Sequence, residues 1–416
     1  MAPILANLET FGVSPTWGFL SSAAPLSCFR DPYFQRWDEL ATELPRLTSS
    51  RLLQQEIQGL PLLDVSKLSS ELEFRRAYVV LAFLVHAYVW VGKEDGTPAE
   101  TIPPQLAEPF LAVCEYLGMA PVLSYAGLCL WNWNPTKESA TREPEIGELA
   151  DLDTVMSFTG TRGEAAFYHV PVLIEAEGGP LIPLLLDAIA DGSRNDASSV
   201  TEALKHSADV FIRMGRHLPK MYPVLDANMF YHKLRPFLGG GRGMEAKGLP
   251  RGMVFQRTDG TEQEAKCIGG SAAQSALFQF LDSVLGVEHK RPEGAEVTMF
   301  EEMRSYMPGK HREFLEIVAK LPSIRSFVES KRENKELSAA YEDCMKQLRL
   351  WRGKHIAVVS KYIVRPARGA ESGTAEGEAE SEADGFVGRK GEDLQGTAGS
   401  ALIPFLQQTR DETRGI

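Results

Sequence analysis

Apolar positions in this chain recur mostly at helical spacing, and alternating strand-like runs are few. The clearest pattern lies over 336–366. There Tyr341, Cys344, Leu348, Trp351, His355, Val358 and Tyr362 follow one another at steps of three and four, drawing one stripe along a single helix face. Lys346, Arg349, Arg352 and Lys361 fall on the other side, which predicts a solvated or anion-facing surface. Pro366 has no N–H, so the helix is expected to stop at about Arg365. Lys361 and Arg365 suit the negative end of its dipole. His355 is the one imidazole in the stripe and is expected to face inward, between Trp351 and Val358. A buried imidazole needs an acceptor, a metal or a haem iron. Spacing alone favours a core histidine bonded to a backbone carbonyl.

The same spacing organises the rest of the chain. Residues 1–30, rich in Pro, Gly and Ser, predict an extended arm, and Phe34, Trp37, Leu40, Ala41 and Leu44 then share one helix face. Glu71 to Trp90 predicts a helix buried on most sides. Another helical period runs through Leu111, Val113 and Leu117, and the apolar segment Val122 to Leu130 follows. The polar stretch Lys137 to Glu148 marks a boundary between a small N-terminal helical domain, 1–145, and a large helical domain, 146–416. In the second, helices are expected over Ala165 to Glu175, Val200 to Leu218 and Asn228 to Leu238. Gly239-Gly240-Gly241 lacks both P-loop and dinucleotide spacing and reads as a helix stop and flexible turn. Gly248 to Glu264 predicts a short hairpin, and Gly269-Gly270 precedes a helix through Leu277, Phe280, Leu281 and Leu285. A mobile loop is expected over 367–392, and a flap from Gly396 to Ser400 leads to a short helix with Leu402, Phe405 and Leu406. The fold class is all-α.

Composition narrows the function classes. The 416 residues can bury a large core, and apolar (44%) and charged (24%) shares are those of an ordinary globular protein. A net charge of −12 argues against nucleic acid or an anionic membrane as partner. The N-terminus shows no secretory pattern, and the apolar run Ala77 to Trp90 is short for a membrane span. Cys28, Cys114, Cys129, Cys267 and Cys344 are odd in number and form no CxxC, which predicts a reducing, cytoplasmic setting without a zinc site. A monomer is expected.

HExxH and G-x-S-x-G are absent. His206, His217, His289 and His311 have polar surroundings and are expected at the surface, whereas His86, His169, His232 and His355 have apolar neighbours. No two of the latter share i,i+4 spacing, so a local metal pair is not encoded. A single axial ligand to haem needs only one imidazole on a rigid helix beside an apolar slot.

Three stretches carry a resemblance. His355-Ile356-Ala357-Val358-Val359-Ser360-Lys361-Tyr362-Ile363 resembles the proximal-histidine helix of the indoleamine 2,3-dioxygenases. Gly269-Gly270-Ser271-Ala272-Ala273-Gln274-Ser275 is similar to that family's glycine-serine loop, and Met229 to Leu238 to its substrate helix. Weaker similarity over Arg75 to Trp90, the Tyr125 segment, Met303 to Leu315 and Gly396-Thr397 extends it across nearly the whole chain.

The resemblance implies a haem b enzyme inserting both atoms of O₂ across the indole C2–C3 bond of L-tryptophan to give N-formylkynurenine, with an electron donor keeping the iron ferrous. It makes His355 the proximal iron ligand and Arg235 the guanidinium that pairs with the substrate carboxylate. Phe230 and Phe167 become walls of the indole pocket, with Tyr125, Leu128, Cys129 and Leu238 around them. Ser271, with Gly270 and Ala272, lies along haem and substrate; Arg352, paired with Asp282, faces a propionate; Thr397 sits on the closing flap. Without it, Phe167, Phe230 and Leu238 read as core, Ser271 as a helix cap, Arg352 as a surface charge and Cys129 as a small hydrophobe. An inward Arg235 already demands an anionic partner.

One departure stands out. Some family members carry a serine four residues after the position of Phe167; here Pro171 stands there, without a hydroxyl. His169 is expected to turn away from that face, so no distal base is assigned, and the implied chemistry need not use one. Two other readings remain: a non-catalytic haem sensor or oxygen binder, and a helical scaffold that binds no haem.

Overall fold

The longest helix, Lys335–Val359, packs along Ala197–His217, and this pair forms a spine against which Arg162–Gly178, Leu181–Ser193 and Leu402–Glu412 lie. The structure, a computed structural model, describes residues 8–93, 96–136, 146–291, 296–372 and 402–416. Thr397, the Gly396-to-Ser400 loop and 373–392 of the expected mobile loop lie outside the described residues.

Each spine helix starts where the sequence supplies a cap. Asn334 accepts from the Leu337 N–H at 3.2 Å, and Asp196 from the Ser199 N–H at 3.1 Å. Arg162–Gly178, capped by Thr161, crosses Ala197–His217. Glu71–Val91, capped by Ser70, pairs with Pro104–Leu117. Glu71–Val91 is long and apolar enough to cross a membrane by composition, yet most of it is buried within the protein, from Ala77 to Ala87 without interruption. It is a core helix. Strands are few: Thr101–Ile102 runs parallel to Met253–Gln256, which pairs antiparallel with Glu262–Ala265 in the expected hairpin. Buried apolar residues from both halves of the chain join in one cluster, from Leu8 to Tyr362.

Several expectations need correcting. The helix does not stop before Pro366. A π turn, Ser360–Val364, carries the Arg365 N–H back to the Ser360 carbonyl, and a helix then continues over Arg365–Ser372. The wider turn gives the proline ring room and makes its missing donor cheap. Residues 367–372 are therefore helical instead of part of a loop. The N-terminal arm is irregular but packed, with Val13, Phe19 and Leu20 buried. Of the histidines expected at the surface, only His206 is exposed. His217 and His311 are buried, and His289 lies between two carboxylates; His232, expected inside, is exposed.

The triple glycine is not a flexible turn. Gly240 runs against Gly269, so a Cβ on Gly240 would come within 2.8 Å of the Gly269 nitrogen and collide with the Cys267 carbonyl. A Cβ on Gly269 would in turn strike the Leu238 carbonyl. Two backbones pass here with no space for side chains. Gly269→Ala is expected to lower stability by roughly 1–3 kcal/mol, as for an overpacked core. A thermal melt measures it, and an unchanged midpoint would mean that the two segments part easily.

Candidate active site

Three π turns border one apolar cavity. Ala126–Leu130 contributes Leu128 and Cys129, Phe230–Leu234 contributes Phe230, and Ser360–Val364 contributes Tyr362 and Ile363. A π turn shifts the side chains that follow it around the helix, which is why such turns gather at functional sites. The expected Asn228-to-Leu238 helix thus has three pitches in succession: α over Ala227–Met229, π over Phe230–Leu234 and 3₁₀ over Arg235–Leu238.

Tyr125, Leu128, Cys129, Phe167, Phe230, Arg235, Leu238, Gly270, Ser271, Ala272, Arg352 and His355 all line this cavity, as does Pro171. Residues from five separate stretches of sequence are thereby brought together. Asp282 lies behind Arg352, and Thr397 is outside the described residues. Phe167 and Phe230 meet with ring centroids 4.9 Å apart, and Phe230 meets Tyr362 edge-on at 5.9 Å. Ser271 caps the Ala272–Gln274 turn, accepting from the Ala273 N–H at 3.3 Å. The Gln274 side chain accepts from the Tyr125 N–H at 2.8 Å and donates to the Gly269 carbonyl at 3.0 Å, joining two walls. Gly270 has no side chain because Leu128 occupies the place of its Cβ.

His355 borders the cavity and makes no hydrogen bond among the described residues. Its ring stacks on Trp351 at 5.7 Å and 11°, and Trp351 stacks on Phe278 at 4.2 Å. Burial, helped by the nearby Arg352 charge, pushes its pKa down to about 4, so the imidazole is neutral with a lone pair available. The core-histidine alternative is realised elsewhere. His86 donates from Nδ1 to the Phe237 carbonyl at 2.7 Å and accepts at Nε2 from the Leu123 N–H at 2.9 Å. His169 turns to Thr154, 3.0 Å away and off the cavity, as expected.

Arg235 also borders the cavity, its guanidinium 5.2 Å from the centre of the Tyr231 ring. Burial lowers its pKa from the ordinary arginine value. Arg352, expected on a charged outer face, is buried instead. One of its nitrogens grips Asp282 at 2.6 and 2.8 Å, and the other donates to the Thr409 carbonyl at 3.0 Å and to the Thr413 hydroxyl. The C-terminal helix Leu402–Glu412 reaches the cavity through Leu402, Phe405, Leu406 and Thr409.

Sequence reasoning missed His289, Glu412 and Glu175. His289 sets Nε2 2.9 Å from Asp282 and Nδ1 2.8 Å from Glu412. Neither carboxylate can donate, so both ring nitrogens carry hydrogen, and the ring is an imidazolium in this arrangement. Nothing in the sequence announces a pairing across elements so far apart. Glu175 did leave a signal, as a carboxyl inside the apolar run Val170 to Ile174 and its neighbours.

Fold and site together define a mostly helical protein built around an apolar cavity. A model of the family "Indoleamine 2,3-dioxygenase" matches residues 7–416. Indoleamine 2,3-dioxygenase of Saccharomyces cerevisiae is 35% identical over 430 residues, covering 98% of this chain and 93% of its own length. The 6-hydroxytryptophan 2,3-dioxygenase fscD of Fusarium equiseti is also 35% identical, with 99% and 98% covered. Human indoleamine 2,3-dioxygenase 2 is 33% identical, with 98% and 94% covered. The chain belongs to the indoleamine 2,3-dioxygenase family of haem enzymes, whose substrates are an indoleamine and O₂. The cavity fits that cofactor: one neutral imidazole without a protein partner among the described residues stands in an apolar space beside small residues.

The His289 bridge should hold the C-terminal helix against this cavity. Burial works against the charged imidazole, but Asp282 and Glu412 outweigh it and raise the pKa above the ordinary histidine value. A raised pKa means that the bridge is fully present at low pH and is lost as pH rises through the folded-state value. Hydrogen exchange over 402–412, corrected for intrinsic rates, is expected to accelerate over that rise, and to be fast at every pH in His289→Ala. Equal protection in both proteins would show that the apolar contacts suffice.

Proposed function

We propose that this enzyme binds haem b and inserts both oxygen atoms of O₂ across the indole C2–C3 bond of L-tryptophan, giving N-formylkynurenine. The observation that carries the reading is the convergence of His355, Arg235 and the Phe167–Phe230 pair on one apolar cavity. His355 would hold the haem iron, its neutral imidazole being the form that ligates. When bound, haem supplies a redox-active iron at which O₂ is activated, an electron donor keeping that iron ferrous.

Arg235 would bind the substrate carboxylate, because a planar guanidinium in a partly desolvated site pairs strongly and fixes orientation. Phe167 and Phe230 would face the indole, with Tyr125, Leu128, Cys129 and Leu238 closing the apolar pocket and excluding water. Ser271, Gly270 and Ala272 would lie along both ligands. Arg352, held by Asp282, would present positive charge to a propionate. Pro171 on the wall offers no proton, so the residues here act by binding and orientation. The described cysteines are all free, which supports a reducing, cytoplasmic setting, and we take the working unit to be a monomer.

The test is turnover by reduced, haem-loaded protein given L-tryptophan and O₂, with 6-hydroxytryptophan as competitor. N-Formylkynurenine over many turnovers is expected. A normal haem spectrum without product would favour a non-catalytic haem protein. Arg235→Ala is expected to raise KM for L-tryptophan roughly 10- to 100-fold, the worth of a charge-assisted hydrogen-bonded pair, with the haem spectrum intact. His355→Ala should fail to retain haem; a haem-replete, active variant would remove it from the iron.

A further inference from the structure

Glu175 is buried, with 1% of its surface exposed, and the chemistry proposed above makes no use of it. It stands on Arg162–Gly178 two helical turns beyond Phe167 and one beyond Pro171, on the same stripe of that helix. Both of those residues line the cavity. Its Oε1 accepts from the Tyr125 hydroxyl at 3.0 Å and from the Ser275 hydroxyl at 2.7 Å. Tyr125 and Ser275 are cavity residues on two other walls. The second oxygen, Oε2, is buried with no hydrogen-bond partner.

Three walls thus converge on one carboxyl, and its surroundings say which form it takes. The groups that act on it are the Tyr125 and Ser275 hydroxyls, with the buried Cys129 thiol near by; no cationic side chain is among them. As an anion it would leave half its charge on a buried oxygen that no protein donor reaches, whereas as an acid it leaves one hydroxyl unbonded.

We propose that Glu175 is a positioning residue: as a neutral acid it ties the Tyr125 segment and the 271–275 loop to the helix carrying Phe167, and so sets the shape of the substrate pocket. Its effect on catalysis rests on the dioxygenase reading; its effect on the walls does not.

Burial, opposed only by the Ser275 and Tyr125 hydrogen bonds, pushes the pKa of Glu175 up to about 7. The folded protein keeps this proton after the unfolded chain has released it. The stability that this acid lends the walls is therefore complete at low pH and is lost as pH rises through about 7, where the two accepted hydrogen bonds persist but Oε2 carries uncompensated charge.

The experiment compares the holoenzyme with Glu175→Gln and Glu175→Leu. In the unsubstituted enzyme, KM for L-tryptophan is expected to rise about fivefold as pH passes through the titration, the lower end of the cost of one unsatisfied buried polar group. Glu175→Gln, which keeps the acceptor and cannot ionise, should hold the low-pH KM throughout. Glu175→Leu should show the raised KM at every pH, with haem absorption retained. Two readouts need neither haem nor turnover. The infrared band of a protonated buried carboxyl should titrate near pH 7 and be missing from Glu175→Gln. Amide exchange over 125–130 and 271–275 should quicken in Glu175→Leu alone. A band that survives in Glu175→Gln, or unaltered exchange in Glu175→Leu, would overturn the proposal whether or not the protein oxidises tryptophan. An identical pH step in KM for Glu175→Gln and the unsubstituted enzyme would overturn its catalytic part.

Discussion

An apolar cavity has no directional forces of its own to hold its walls apart, so they must be fixed from behind. Here buried polar side chains in and behind the walls do this. His86 spans from the Leu123 amide to the Phe237 carbonyl. Gln274 joins the Tyr125 amide to Gly269, and Tyr362 reaches the Leu225 carbonyl at 3.2 Å. Asp282, Arg352, His289 and Glu412 form a neutral chain of two cations and two anions that secures the C-terminal helix. Such groups would be costly in a low-dielectric interior were they not bonded to one another. His355, by contrast, makes no hydrogen bond among the described residues and borders the cavity as a neutral imidazole.

That contrast separates two buried histidines that look alike in the sequence. Both lie among apolar neighbours on long helices. His86 meets two backbone groups supplied by distant segments, and burial, offset in part by the Phe237 carbonyl, takes its pKa down to about 4. His355 meets aromatic rings and a cavity. Helical periodicity reports which face a residue occupies, but the partner comes from elsewhere in the fold. Spacing alone gives His355 the role of a core histidine, a role that His86 fills in the structure, and the motif wording around His355 is what sets it apart.

The corrections share a cause. Pro366, the triple glycine and Arg352 were each read from local rules, and each rule was overridden by contact with a distant element. The proline is accommodated by a π turn, a change of pitch that no side-chain pattern encodes. Gly240 is demanded by a second backbone at Gly269, and Gly241 by the backbones at Ala265 and Gly252. Arg352 can be buried only because Asp282 waits on another helix.

The sequence by itself determined the helical class, the position of many of the long helices and part of the set of side chains around the cavity. These follow from apolar spacing, capping residues and motif wording, all of which are local in the chain. Tertiary structure alone decided which polar groups find partners, where helices change pitch and how five stretches enclose one space. The physical reason is that hydrogen bonds and ion pairs between remote residues depend on distances that the chain acquires only on folding. The ionisation of Glu175 and His289 was decided there as well. A carboxyl rises or an imidazole gains a proton according to what stands within a few ångströms, and sequence separation says nothing of that.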